Sequence, residues 1–436
     1  MKKICLMILS GLMLWTAAAQ AQYSENDILI EKMVDKGYLS PIEADMIKEE
    51  TREYVSKHMT EGRMMSLPQW IQRVKVTGDV RLRYEHEKRK IISNDEPIKS
   101  EQSEKLRLRL GIIARLNQKL TVAAGIATGS SDPRSDNITF DNSFEDADVR
   151  LDHAYAEYRA ASWMSMIAGK YPKGEYLWMA SDLFWDNDIY PEGASVRFSK
   201  PVGYYFEPFI SGGRWRIQTN ATEDDPYMEY AQIGMKFEEE HFDVKAAGGV
   251  YVFEDLKGKK LDHTSCSNSG LDLTSLLGSG CGGVLAYNYK SKGLSAEIGY
   301  KMMIHESYKR LALFADYMIN DGDSTLPENL DEGWAYGMRL GDLKVKEPWQ
   351  WQLVYQYSHM EKDVIPDIFP SSDRYGGQTG IRGHKVGLKF GLAENVTLGL
   401  TYYRDEKFQP YDYNPDYLAD NHNPQSLYQV DLTFKF

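Results

Sequence analysis

The chain has 436 residues, 26% of them charged, a formal net charge of −13 and a mean hydropathy of −0.50. That acidity argues against a nucleic-acid partner, and beyond the N-terminus no apolar run reaches the about 18 residues of a membrane-crossing helix. A transmembrane β-barrel stays open, because barrel strands show only alternate residues to lipid; the 29 Tyr and 9 Trp suit the interfacial girdles of such a barrel, although a Tyr-rich secreted β-sandwich or lectin shares this composition.

Residues 1–21 have the order of an export signal. Lys2 and Lys3 open it, Ile4 to Trp15 is mostly apolar, and Ala19-Gln20-Ala21 offers a small-x-small cleavage site before Gln22. The apolar run is about a dozen residues, short of the about 20 needed to span a bilayer. Cys5 lies inside this run rather than just after a cleavage site, so it is not a lipid attachment point.

Residues 22–66 predict a periplasmic helical hairpin and linker. Ser24 caps a first helix carrying Ile28, Leu29, Met33 and Val34 and ending at Gly37; Ser40-Pro41 opens a second through about His58. Either an envelope-contacting module or a solvated spacer fits this segment.

From Val74 the period changes to two, and residues 67–436 are assigned to a barrel. Val74, Val76, Gly78, Val80, Leu82 and Tyr84 alternate with Lys75, Thr77, Asp79, Arg81, Arg83 and Glu85. Leu106, Leu108, Leu110, Ile112, Ala114 and Leu116 then alternate with Lys105, Arg107, Arg109 and Arg115. Long polar connections near 87–103, 129–148, 172–192, 216–226, 254–292, 320–332, 360–381 and 406–425 are separated by short turns near 117–119, 160–162, 200–203, 238–241, 304–309, 343–348 and 393–395. Long external loops and short periplasmic turns are the rhythm of outer-membrane barrels. Treating Val284 to Lys290 as part of the fifth loop keeps the parity even, and the count is sixteen antiparallel strands, with eighteen as the alternative. In the fifth loop, Cys266 and Cys281 close a short Gly/Ser-rich segment and predict a disulfide in an oxidising compartment; no His or Cys cluster of ligand spacing surrounds them, so no metal is assigned.

The chain ends on Tyr428, Val430, Leu432, Phe434 and Phe436, alternating with Gln429, Asp431, Thr433 and Lys435. An apolar strand closing on an aromatic is similar to the C-terminal signal read by the barrel assembly machinery, with Tyr428, Phe434 and Phe436 its residues. Closure places Leu432 and Phe434 beside the strand that begins near Val74.

Five stretches then carry a resemblance: residues 77–84 (TGDVRLRY), 127–132 (ATGSSD), 151–155 (LDHAY), 181–186 (SDLFWD) with Pro191-Glu192-Gly193, and 395–403 (NVTLGLTYY). With these the chain resembles the bacterial putative porin family of outer-membrane proteins of about 400 residues, and the N-terminal hairpin resembles that family's as well. The resemblance implies a β-barrel porin and names no substrate.

The candidate functional residues are charged. Arg81, Arg83, Arg107, Arg109 and Arg115 share an inward face if the apolar residues meet lipid, while Asp182, Asp186, Asp188 and Glu192 surround Trp178 and Trp185 in the third loop. A third loop folded into the lumen would set acids against a basic wall, and the transverse field would orient polar solutes. The bland alternative is that these groups are solvated or only tie the loop to the wall. Asp132, Asp136, Asp141, Glu145, Asp146 and Asp148 have calcium-type oxygens without EF-hand spacing. His153, His359 and His384 lack a nucleophile elbow or zinc-protease run; moreover, Asp152 and His153, as neighbours in a strand, would point to opposite faces. The reading is a porin in a Gram-negative outer membrane, a channel without cofactor for passive diffusion of small hydrophilic solutes. Outer-membrane lipid surrounds it and a homotrimer is its plausible assembly; a surface adhesin barrel or an outer-membrane hydrolase is the alternative.

Overall fold

The period-two segments become strands in a computed structural model that describes residues 47, 73–89, 99–141, 143–144, 146–220, 224–270, 284–304, 307–322, 325–326, 330–408 and 424–436. The export signal, the helical hairpin with its linker, Glu145 and Cys281 lie outside the described residues. Among the described residues seventeen strands form one sheet: β1 (Val74–Arg89), β2 (Lys99–Arg115), β3 (Leu120–Thr128), β4 (Ile138–Thr139), β5 (Val149–Ala161), β6 (Met164–Lys170), β7 (Glu192–Ser199), β8 (Phe206–Arg216), β9 (Tyr227–Glu238), β10 (Phe242–Glu254), β11 (Tyr289–Ile304), β12 (Ser307–Asn320), β13 (Glu332–Gly341), β14 (Trp351–Met360), β15 (Ile381–Ala393), β16 (Val396–Lys407) and β17 (Pro424–Lys435). The two residues of β4 belong to the second loop and pair with Lys105 and Leu106 of β2, beyond the point where β3 stops. Sixteen full staves remain in a closed antiparallel barrel. Among the described residues only isolated bridges at Val284 and Leu285 precede β11, so residues 284–288 are part of the fifth loop, whereas Tyr289 and Lys290, expected in that loop, open β11 opposite Phe253 and Val252 of β10. The first loop is shorter than expected because its polar flanks continue the ladder, with His86 opposite Gln102 and Glu87 opposite Glu101.

Closure is made by the two ends of the barrel sequence. Val80 lies opposite Phe434 and Leu82 opposite Leu432 in the β1–β17 ladder, and Gly78 and Phe436 exchange backbone hydrogen bonds of 2.8 and 3.0 Å. Each seam bond satisfies peptide groups that hydrocarbon cannot, so a closed ladder is the condition for spanning lipid. Gly78 is required by a close approach: a Cβ there would sit 2.5 Å from the Phe436 ring and 2.7 Å from the Arg109 carbonyl oxygen.

The alternation sorts side chains as the barrel needs. Leu82, Ile112, Ile126, Leu151, Ile210, Ile233, Leu294, Leu313, Leu388 and Val430 are exposed on the outside, whereas polar Asp79, Arg83, Arg107, Ser195, Gln232, Asp316, Gln356 and Asp405 are buried within. The apolar core lies inside the barrel. Leu177, Leu183, Phe184 and Trp185 of the third loop, Leu256 and Leu261 of the fifth and Val364, Ile365 and Phe369 of the seventh pack against Trp215, Tyr230, Tyr251, Phe253 and Met318 of the wall. Trp185 sits 4.5 Å from Phe369 and 5.3 Å from Trp215, ring centre to ring centre. The inward loops are thereby cemented by burial as well as by polar contacts.

Gly78→Val is expected to strain the seam by about 1–3 kcal/mol, the usual cost of overpacking. Its readout is the folded, heat-modifiable fraction on a gel after refolding into detergent, which should fall; an unchanged fraction would mean that the seam does not limit folding.

Candidate functional site

The predicted basic face forms, and acids of the wall interleave with it. Arg107 donates to Asp79 Oδ1 through Nε at 3.1 Å and Nη2 at 2.8 Å, and Arg109 Nε donates to Asp79 Oδ2 at 2.8 Å. Arg83 grips Asp431 of β17 bidentately at 2.7 and 2.9 Å and reaches Asp373 of the seventh loop at 3.2 Å. Lys105 pairs with Glu85 at 2.7 Å. β17 pairs with β1 on the side away from β2, and that adjacency brings Asp431 to Arg83. Two parallel bonds to a carboxylate fix a guanidinium in direction as well as place.

Arg81 is different. Its Nη2 donates to Asn137 Oδ1 at 2.7 Å, its buried Nε has no hydrogen-bond partner, and among the described residues no carboxylate pairs with it. Lys389, exposed on the inner face of β15, likewise has no paired carboxylate among the described residues. Arg115 lies exposed near the short β2–β3 turn.

The third loop runs round the inside of the barrel, and its four predicted acids turn to four different places. Asp188 comes within 3.7 Å of Arg107 and 3.5 Å of Arg109, so it touches the basic wall. Asp182 forms an ion pair with Lys385 of β15. Asp186 turns into the seventh loop, accepting from the Ser372 amide at 2.8 Å. Glu192, at the start of β7, meets Lys170 at 3.1 Å. On the far side the loop backbone is clamped by wall side chains: Gln232 bonds both the amide and the carbonyl of Trp178 at 3.0 and 2.8 Å, and Asp316 accepts from Ala180 at 3.0 Å and Ser181 at 2.6 Å. Cations line that wall too. Arg197 and Lys236 lie 3.7 and 3.5 Å from Glu175, Arg310 lies 2.8 Å from Glu297, and Lys245 stands 4.5 Å above the Trp178 ring.

Burial perturbs the loop carboxyls in two directions. Burial, reinforced by the Asp188 charge, pushes Asp186 up to about 7. Asp136 of the second loop is also pushed up to about 7 by burial and by Asp188 and Asp152. Asp182 is buried as well, but Lys385 and Arg374 outweigh that burial and hold its carboxyl well below the usual carboxylate range.

Two other sequence expectations meet the structure here. Asp152 and His153 do not point to opposite faces: a register shift between Gly125 and Ile126 pairs Gly125 with His153 and Ile126 with Leu151, and the extra residue lets His153 Nδ1 approach Asp152 Oδ2 to 2.9 Å. Cys266 is disulfide-bonded. Beside it, Thr264 Oγ1 and Ser267 Oγ donate to the Asp367 carboxylate of the seventh loop at 2.8 and 3.1 Å.

Replacing Asp79 by Ala leaves Arg107 with only Asp188 at 3.7 Å and removes the closest partner of Arg109. Breaking a buried ion pair from one side typically costs about 3–5 kcal/mol. The urea midpoint of Asp79→Ala in detergent should fall accordingly, whereas Arg81→Gln, which breaks no ion pair, should leave it nearly unchanged.

The model of the family described as putative porin matches residues 14–100, 89–275 and 291–435. Among solved structures, Pseudomonas putida OprB aligns with TM-score 0.52 at 8% identity, over 86% of this chain and 97% of that one. Salmonella typhi OmpF in complex with daunomycin aligns with TM-score 0.46 at 11% identity, over 83% and 97%, and a mutant of Rh. blastica porin with TM-score 0.40 at 10% identity, over 83% and 100%. No curated protein matches the chain. The OprB alignment shares the fold alone; the family match extends over most of the sequence, and the chain belongs to the putative porin family.

Proposed function

We propose that this outer-membrane channel for small solutes works by passive diffusion and favours anions among the hydrophilic solutes that fit it. Family and fold point to a channel rather than an enzyme. The observation that carries the anion preference is Arg81, a lumen guanidinium with no paired carboxylate among the described residues, beside Arg83, Arg107 and Arg109, which Asp431, Asp373 and Asp79 neutralise. Neutral pairs make a polar lining; the excess charge at Arg81 and Lys389 biases it. Residues 1–21 act as the cleaved export signal, 22–66 as the periplasmic hairpin and 67–436 as the barrel. The barrel assembly machinery reads the strand ending at Phe436, three copies assemble in the membrane, and Cys281 is the partner of Cys266.

A unit charge about 10 Å from a passing ion in water changes its energy by about 0.4 kcal/mol, or about twofold in permeability. Arg81→Gln should therefore lower the anion-to-cation permeability ratio by about twofold, measured as the reversal potential in a KCl gradient; an unchanged potential would remove Arg81 from the filter. The same measurement across pH has a predicted sign. As pH falls through about 7, Asp186 and Asp136 gain protons and the inward loops lose two negative charges, so anion preference rises on acidification. Asp186→Asn should flatten about half of that rise.

A further inference from the structure

The outer wall carries an arginine that the channel does not use. On β16 the outward residues run Val396, Leu398, Leu400, Tyr402 and Arg404, and on β17 they run Phe436, Phe434, Leu432, Val430, Tyr428 and Ser426. Phe436 to Tyr428 is eight residues of tilted strand, about 20 Å of height at about 3.3 Å per residue, close to the about 25 Å of an outer-membrane apolar band. Tyr402 and Tyr428 meet with ring centres 4.7 Å apart, and His86 lies 6.3 Å from Tyr428. This is the upper aromatic edge. Arg404 is the next outward residue above it, opposite His384 of β15 and Ser426 of β17 in the ladders.

Arg404 Nη1 donates to Ser426 Oγ at 2.7 Å. Its side chain is exposed, and no carboxylate pairs with it among the described residues. Among the outward cations near the external rim, Arg214 has Glu229 at 3.5 Å, Lys292 has Asp321 and Arg382 has Glu406 at 2.7 Å, whereas Lys88 of β1, which lies opposite Ser426 on its other side, is exposed like Arg404 and has no ion pair among the described residues. His384 is anchored by a 3.0 Å hydrogen bond between its Nδ1 and Tyr355 Oη, which leaves the other ring nitrogen for a further contact beside Arg404.

We propose that Arg404, with Ser426 and His384, binds the phosphate of a lipid headgroup in the external leaflet, its acyl chains lying on Val386, Leu388, Leu400 and Val430 below. The inference rests on the outer-membrane reading of the barrel. Charge selects the occupant: a guanidinium with spare N–H groups matches a phosphate bidentately. Place selects the source, because the apolar strip beneath Arg404 suits acyl chains and a free phosphate would leave it uncovered.

The test is native mass spectrometry of the full chain released from nanodiscs doped with a bis-phosphorylated glycolipid or with its dephosphorylated form, for wild type, Arg404→Gln and the control Arg214→Gln. The expected result is retention of the phosphorylated lipid by wild type and Arg214→Gln, about tenfold less by Arg404→Gln, and no preference for the dephosphorylated lipid in any of the three. Equal retention by wild type and Arg404→Gln would overturn the site. So would retention indifferent to the lipid phosphate, full competition by inorganic phosphate, or a second copy of the chain occupying the face with no lipid retained. Conductance separates the two readings, since Arg404 lies outside the lumen: Arg404→Gln that loses the lipid but conducts as wild type supports the site, while a wild type that retains the lipid and never conducts supports the site and contradicts the transport reading.

Discussion

A peptide group left unpaired in hydrocarbon costs several kcal/mol, and every other property of this chain depends on avoiding that cost. Sixteen staves suffice only because the last finds the first. The β1–β17 ladder runs in register from Asp79 opposite Lys435 to Arg89 opposite Gln425, joining segments about 350 residues apart in sequence. The same seam brings Asp431 against Arg83, so the ladder that closes the barrel also completes part of the lumen's charge balance. Closure and lining are one event at this place.

Within that closed wall, charge and burial divide the work of shaping the pore. The third loop is held on one side by Gln232 and Asp316, on another by the Asp182–Lys385 pair and Asp188, and above by an apolar cluster shared with the fifth and seventh loops. Paired charges position the loop; in the proposed reading the unpaired ones act on solutes. This distinction follows from energetics: a guanidinium already bound bidentately to a carboxylate presents little net field, whereas Arg81 presents nearly a full charge.

Much of the barrel was legible in the sequence because period two survives in single strands such as Val74 to Tyr84 and Tyr428 to Phe436. The loop rhythm set the parity, and parity placed Val284 to Lys290 in a loop, a bound two residues too long because Tyr289 and Lys290 already pair with β10. The inward arginines were legible for the same reason. Their partners were not: Asp79 and Asp431 stand visibly on polar faces, but which cation each meets depends on ladder register between distant strands. Asp373, Gln232 and Asp316 depended on the path of a loop, which no periodicity encodes. His153 was misplaced because one bulge residue, Asp152, resets the alternation locally.

The central claim is that the folded barrel is a water-filled channel whose excess lumen charge is positive. Recording from wild-type protein refolded into planar bilayers tests it most directly. Discrete conductance steps with a reversal potential of anion-selective sign in a KCl gradient are the predicted result; a correctly folded, heat-modifiable barrel that gives no steps, or steps of cation-selective sign, would contradict it.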